Sequence, residues 1–158
     1  MFINLYYPPV ISAIISKNIE RGICKIESKV KAIEAARASL DKKARDVLIL
    51  ELKGLTVIAD YFIICSGDSA PQVKAVVEHV EEKLKKRGTK PLKIEGLGNA
   101  RWVLMDYGDI IVHVFEAETR DYYELEKFWL DAPRISFDDK DKDTVDREDK
   151  RAPFKRRN

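Results

Sequence analysis

The residues best placed for chemistry in this chain are Asp106 and Asp109, two carboxylates that flank Tyr107-Gly108 and share a face. A metal between them is conceivable. Nucleotidyl transfer by two-metal chemistry needs carboxylates that converge on a pair of cations a few ångström apart. Ser66-Gly67 at the start of a helix fits the opening of such a site. The strand that follows, LKIE (92–95), offers one carboxylate where an acidic pair is required. No cysteine nucleophile, Walker loop or zinc-ligand spacing occurs elsewhere. The sequence therefore reads as a protein without catalysis, cofactor or metal. The alternative is a nucleotidyltransferase-like enzyme using a divalent metal, which loss of Mg²⁺ or Mn²⁺ binding in Asp106→Ala would favour.

Those carboxylates must be positioned by a hairpin. In RWVLMDYGDIIVHVF (101–115), Tyr107-Gly108 reads as a two-residue loop, with Gly108 supplying the positive φ that such turns need. That loop sets Asp106 opposite Asp109, Leu104 opposite Ile111 and Trp102 opposite His113. Alternation gives one purely apolar face, Val103, Met105, Ile110, Val112 and Val114. The other face mixes Trp102, Leu104, Asp106, Asp109, Ile111, His113 and Phe115, and its polar groups need partners if it too is core.

The rest of the chain supplies a frame for the hairpin. Residues 33–44 form a helix with Ile33, Ala36, Leu40 and Ala44 near one face, followed by the strand DVLILEL (46–52). DYFIICSG (60–67) is a second apolar strand. Ser69, Pro71 and Gln72 then open a helix in the manner of a capping box, and Val73, Val76, Val77, Val80 and Leu84 make its apolar stripe. Lys83, Lys85, Lys86 and Arg87 crowd its last turn before Gly88, either as a solvated face complementing the helix dipole or as an RNA patch. A short strand (91–95) and the loop Gly96-Leu97-Gly98 lead into the hairpin. A final aromatic helix, capped by Thr119 or Asp121, places Tyr122, Leu125 and Trp129 on one stripe with Tyr123, Glu126 and Leu130 beside it.

Charge divides the 158 residues into three parts. Residues 33–135 carry 16 basic and 18 acidic side chains, so this part is slightly acidic although the whole chain is +2. A domain of that balance suits a basic protein partner better than naked nucleic acid. Residues 1–32 form an N-terminal extension, either a targeting segment or a stretch upstream of the true start, with Val30 as the candidate initiation site. Residues 136–158 have few apolar side chains and read as a disordered charged tail, whose basic end could add weak, salt-sensitive contact with rRNA. Cys24 and Cys65 make no disulfide framework, and Cys65 reads as a buried free thiol suited to a reducing compartment. No apolar run reaches the length of a membrane span.

Several motifs, in order over about a hundred residues, resemble the ribosomal silencing factor, or Iojap-like, family. They are DYFIICSG (60–67), Ser69 with Gln72-Val73, Glu95-Gly96, WVLMDYGDIIVHVF (102–115), RDYYELEKFW (120–129) and Asp131-Ala132. The resemblance covers residues 33–135. It implies an α/β fold with a mixed sheet of about five strands flanked by helices, in a nucleotidyltransferase-like topology. It also implies a cytoplasmic protein that binds the large ribosomal subunit through large-subunit ribosomal protein fourteen. Docked there, it would block subunit association sterically and repress translation under nutrient limitation, and it would be a homodimer when free.

The hairpin and the aromatic helix are the expected interface, with Trp102, Asp106, Tyr107, Asp109, His113, Arg120, Tyr123, Glu126 and Trp129 as candidates. Six of them have a structural alternative. Trp102 and Trp129 fit interface anchors or core fillers. Asp106 and Asp109 fit turn formers, and His113 fits a histidine packed on Trp102. Arg120 fits an internal pair with Asp106 or Asp109, or a partner contact.

Overall fold

The computed structural model describes residues 27–137; the expectations for the N-terminal extension before that range and for the tail after it lie outside the described residues. Helix α1 (Ser28–Asp41) begins five residues before the expected boundary at Ile33. Its buried side includes Ala32, Ile33, Ala35, Ala36 and Ser39. Leu40, expected on that side, is about half exposed, because the small residues one position earlier let the helix lie close against the sheet.

The sheet has six strands where about five were expected, in the order β3-β4-β5-β2-β1-β6. These are β1 (Arg45–Glu51), β2 (Tyr61–Gly67), β3 (Lys93–Glu95), β4 (Trp102–Asp106), β5 (Ile110–Glu116) and β6 (Arg134–Ile135). The added strand, β6, is two residues long, and no periodic pattern marks it. Among the described residues only β2 and β5 pair in parallel, joined by a crossover through α2 (Ala70–Lys86) and the β3–β4 hairpin. The sheet is therefore mixed, as expected.

Helix α2 starts where the capping residues placed it. The Ser69 hydroxyl accepts from Gln72 N (3.3 Å), while the Gln72 amide oxygen reaches back to Asp68 N (2.7 Å). The Gln72 amide nitrogen also donates to the carbonyls of Lys42 and Lys43, which ties the α1–β1 turn to this cap. All five stripe residues, Val73 to Leu84, are buried.

The expected aromatic helix is two elements. Helix α3 (Ala117–Tyr123) follows β5 directly, with Glu116 as N-cap and no side-chain cap from Thr119 or Asp121. Glu124 then adopts a left-handed conformation (φ 46°), and a 3₁₀ helix runs from Leu125 to Trp129. The break redirects the chain: Leu125 and Trp129 turn into the sheet, while Tyr122 stays 82% exposed. A continuous helix would have put all three on one stripe.

Two cores lie on opposite faces of the sheet. Helices α1 and α2 cover the first, which contains Ile63, Cys65, Val103, Met105, Tyr107, Ile110, Val112 and Val114. The second contains Phe62, Ile64, Leu104, Ile111 and Phe115, covered by Leu125 and Trp129 of the 3₁₀ helix, Ala132, and the β1–β2 loop. Cys65 is a free, buried thiol, pushed up to about 11 by burial and hence protonated at neutral pH.

Candidate functional site: an aromatic pocket beside the central hairpin

The hairpin turns one residue later than expected. Asp106 pairs with Ile111, Leu104 with His113 and Trp102 with Phe115, so the two-residue loop is Gly108-Asp109. Tyr107 N donates to the Ile110 carbonyl (3.0 Å), and Gly108 has φ +90°. A positive φ at the first loop residue alone is the type II′ pattern. Moving the loop by one residue slides the register by two, so the strand residues keep their expected faces, while Asp109 leaves the mixed face for the loop. Tyr107 is too apolar to leave in the loop; its ring is buried in the helix-side core.

The two carboxylates do not converge on a shared cation. Asp106 is buried, and its Oδ1 accepts from Gly108 N (2.8 Å), an Asx turn that stabilises the loop. Burial, its largest perturbation, raises its pKa, partly opposed by that hydrogen bond. Asp109 takes Lys31 of α1 on both oxygens, at 2.8 and 2.7 Å. Among the described residues, no group of three or more His, Cys, Asp and Glu side chains could hold a metal ion.

Arg120 pairs with neither aspartate, because α3 begins at the other end of β5. Its Nε donates to Glu126 Oε1 (2.6 Å), and its Nη1 donates to the Asp46 carbonyl and to Ser66 Oγ, both at 2.8 Å. One guanidinium thus locks α3 and the 3₁₀ helix onto the ends of β1 and β2. Its planar fork suits three partners in different directions. Ser66, half of the pair that fitted the opening of a nucleotide site, is occupied in this latch.

His113 is fully buried. Its Nδ1 accepts from the Trp102 indole (3.1 Å), which leaves the proton on Nε2, where no partner lies among the described residues. Burial lowers its pKa to about 3, so the ring is neutral. It packs edge-on to Phe62 (4.7 Å between centroids), and Trp102 lies 5.9 Å away. Trp102 stacks on Phe115 (4.8 Å) and meets Tyr123 (5.0 Å), and Tyr123 meets Tyr122 (5.1 Å). A continuous line of rings therefore runs from the buried Phe62 to the exposed Tyr122.

This line ends at an open pocket of about 550 Å³ lined by Gly96, Asn99, Arg101, Trp102, Glu118, Thr119, Tyr122 and Tyr123. Gly96 (φ +87°) lets the β3–β4 loop approach Trp102: a Cβ there would sit 2.1 Å from the Trp102 carbonyl oxygen. Aromatic walls with a few polar groups are the usual composition of a recognition surface.

Of the nine candidates, Trp102 and Tyr123 line the pocket, and Arg120 with Glu126 holds its α3 wall. Asp106, Tyr107 and His113 are buried, and Trp129 fills the second core against Phe62. Asp109 lies at the distant hairpin turn, held by Lys31. Sequence reasoning missed Arg101, Asn99, Glu118 and Tyr122 as lining residues. Tyr122 was drawn into the buried stripe by the assumption of one unbroken helix, and the others carry no periodic signal.

Comparison with known proteins gives this geometry a context. The family model described as "Ribosomal silencing factor during starvation" matches residues 25–158. The chain is 46% identical over 104 residues to the ribosomal silencing factor RsfS of Bacillus subtilis, covering 66% of this chain and 88% of the relative. A mouse protein named "Mitochondrial assembly of ribosomal large subunit protein 1" is 36% identical over 101 residues, covering 62% of this chain and 43% of its own length. A crystal structure of a Chromobacterium violaceum protein aligns with TM-score 0.65 at 37% identity, covering 71% of this chain and 92% of that one. The chain belongs to the ribosomal silencing factor family.

Proposed function

We propose that the protein binds the large ribosomal subunit through large-subunit ribosomal protein fourteen and sterically blocks association with the small subunit. The observation that carries this reading is the pocket at the end of the ring line, where Trp102, Tyr122 and Tyr123 stand open to a partner. Aromatic side chains concentrate binding energy in protein interfaces. Segment 116–131, which forms one wall of the pocket and the cover of the second core, carries six acids and two bases. That charge favours a basic ribosomal protein over RNA at this face.

The mechanism involves occupancy and no bond chemistry. The rigid sheet presents the rim, the partner seats on it, and the bulk of the domain excludes the small subunit. In the cell this represses translation in the cytoplasm when nutrients are short, with the free protein held as a homodimer. Among the described residues no helix is long and apolar enough to cross a membrane.

Titration of isolated ribosomal protein fourteen with the wild type and with Tyr122→Ala/Tyr123→Ala tests the surface. The reading expects saturable binding that weakens at least tenfold in the variant, the scale of a lost aromatic hot spot. Equal affinity in both proteins would place the contact elsewhere.

A further inference from the structure

Resting on the reading above, we propose that the end of α2 and the entry to β3 form a second ribosome contact, which grips the phosphate backbone of rRNA beside the protein partner. The segment KLKKRGTKPLK (83–93) holds six cations and no acid. Residues 33–135 contain 16 basic and 18 acidic side chains in all, so outside this segment ten bases face 18 acids, and the segment is a basic island in an acidic domain.

The fold keeps this segment together. The chain leaves α2 by a Schellman turn: Thr89 N donates to the Leu84 carbonyl and Gly88 N to the Lys85 carbonyl. It then enters the edge strand β3, with Lys90 in the connection and Lys93 as the first residue of the strand. Three of the cations have carboxylate partners: Lys86 with Glu82, Arg87 with Glu34 and Lys93 with Glu95. Lys83, Lys85 and Lys90 make no ion pair among the described residues, and Lys85 and Lys90 are exposed. Compensation of the helix dipole accounts for cations in the last turn of α2. Lys90 lies beyond that turn, past backbone groups already hydrogen-bonded.

Its place in the sheet points the segment toward the ribosome. Strand β3 leads from Lys93 to Glu95, and Gly96 then lines the aromatic pocket. At the rise of a β-strand that separation is about 10 Å. A partner seated at the pocket thus leaves the Lys93 end of the basic segment beside it, on the scale of one RNA strand. Ribosomal proteins are themselves embedded in rRNA, so phosphate is the anion this segment would meet there.

The test compares the wild type with Lys83→Gln/Lys85→Gln/Lys90→Gln, binding to purified large subunits from about 50 to about 300 mM KCl, where each phosphate contact contributes close to one to the log–log salt slope. The expected result is a slope shallower by about two, with affinity down about tenfold or more at the low-salt end. Affinity for isolated ribosomal protein fourteen should be unchanged, and a triple Lys→Arg variant should keep the wild-type slope. Unchanged affinity and slope in the Gln variant, with the wild type still bound, would overturn this inference and leave the proposed function standing. Failure of the wild type to bind large subunits would overturn both. Wild-type binding to anionic phospholipid vesicles, lost in the Gln variant and matched by no effect on subunits, would assign the segment to a membrane surface instead.

Discussion

The two faces of the sheet use the same strands in different ways. On the face under α1 and α2, every strand contributes aliphatic side chains, and two regular helices close the layer. On the opposite face the cover is a 3₁₀ helix and a loop, and the strands carry His113, Ser66 and the edge of Trp102. The consequence is a division of labour. The helix face stores stability, and the thinly covered face carries its aromatic groups outward to the pocket.

The comparison is sharpened most by Ile63→Ala, a truncation in the helix-side core. It should cost about 2–5 kcal/mol in urea unfolding while the surviving folded protein binds its partner normally. A large loss of affinity at equal folded fraction would show that the two faces are not separable.

Arg120→Ala comes next. It strips partners from Glu126, Ser66 and the Asp46 carbonyl, and should cost about 2 kcal/mol, less than a fully buried ion pair because the latch is partly open to water. Arg120→Lys should recover little of this, because an ammonium cannot reproduce the fork. It should also weaken binding at the pocket, whose α3 wall it fixes.

His113 gives the thin face a pH signature. Its folded pKa, about 3, lies below that of an unfolded histidine, so the unfolded chain takes up the proton first. This contribution to stability is fully present above about pH 6.5 and is lost as pH falls, at about 1.4 kcal/mol per unit. Asp106 acts in the opposite sense: its raised pKa favours the folded state as its carboxyl protonates. Urea unfolding of the wild type and His113→Gln between about pH 7 and 5 isolates the histidine, because Asp106 is common to both. The wild type should show the steeper decline.

Tyr123→Ala should have the smallest effect on stability, about 1 kcal/mol or less, since the ring is partly exposed and touches Trp102 from outside. Its effect on partner binding should far exceed that. A stability loss as large as that of Ile63→Ala would make Tyr123 a core residue and dissolve the distinction between the faces.

Much of this arrangement was legible in the sequence, for reasons that can be named. Alternation located both hairpin faces, and the cap at Ser69 fixed the start of α2, because those signals are local. The turn was misplaced by one residue because burial of the Tyr107 ring, a tertiary effect, competed with the preference of tyrosine-glycine for the loop. The final helix was drawn unbroken because nothing in Glu124 announces a left-handed residue. For Arg120, left between an internal pair with Asp106 or Asp109 and a partner contact, the true partners were not legible, because Glu126, Ser66 and Asp46 meet only when the break and the crossover are in place. The pocket itself was invisible, since it arises where the Gly96 loop and α3 converge on Trp102.

The most direct test is sedimentation of large subunits preloaded with the protein, followed by addition of small subunits and quantification of seventy-S particles. The proposed function expects the protein to travel with the large subunit, and joining to fall in proportion to occupancy. It also expects Tyr122→Ala/Tyr123→Ala to lose both effects while remaining folded. Absence of the wild type from the large-subunit fraction at low salt, or full occupancy with undiminished joining, would contradict it.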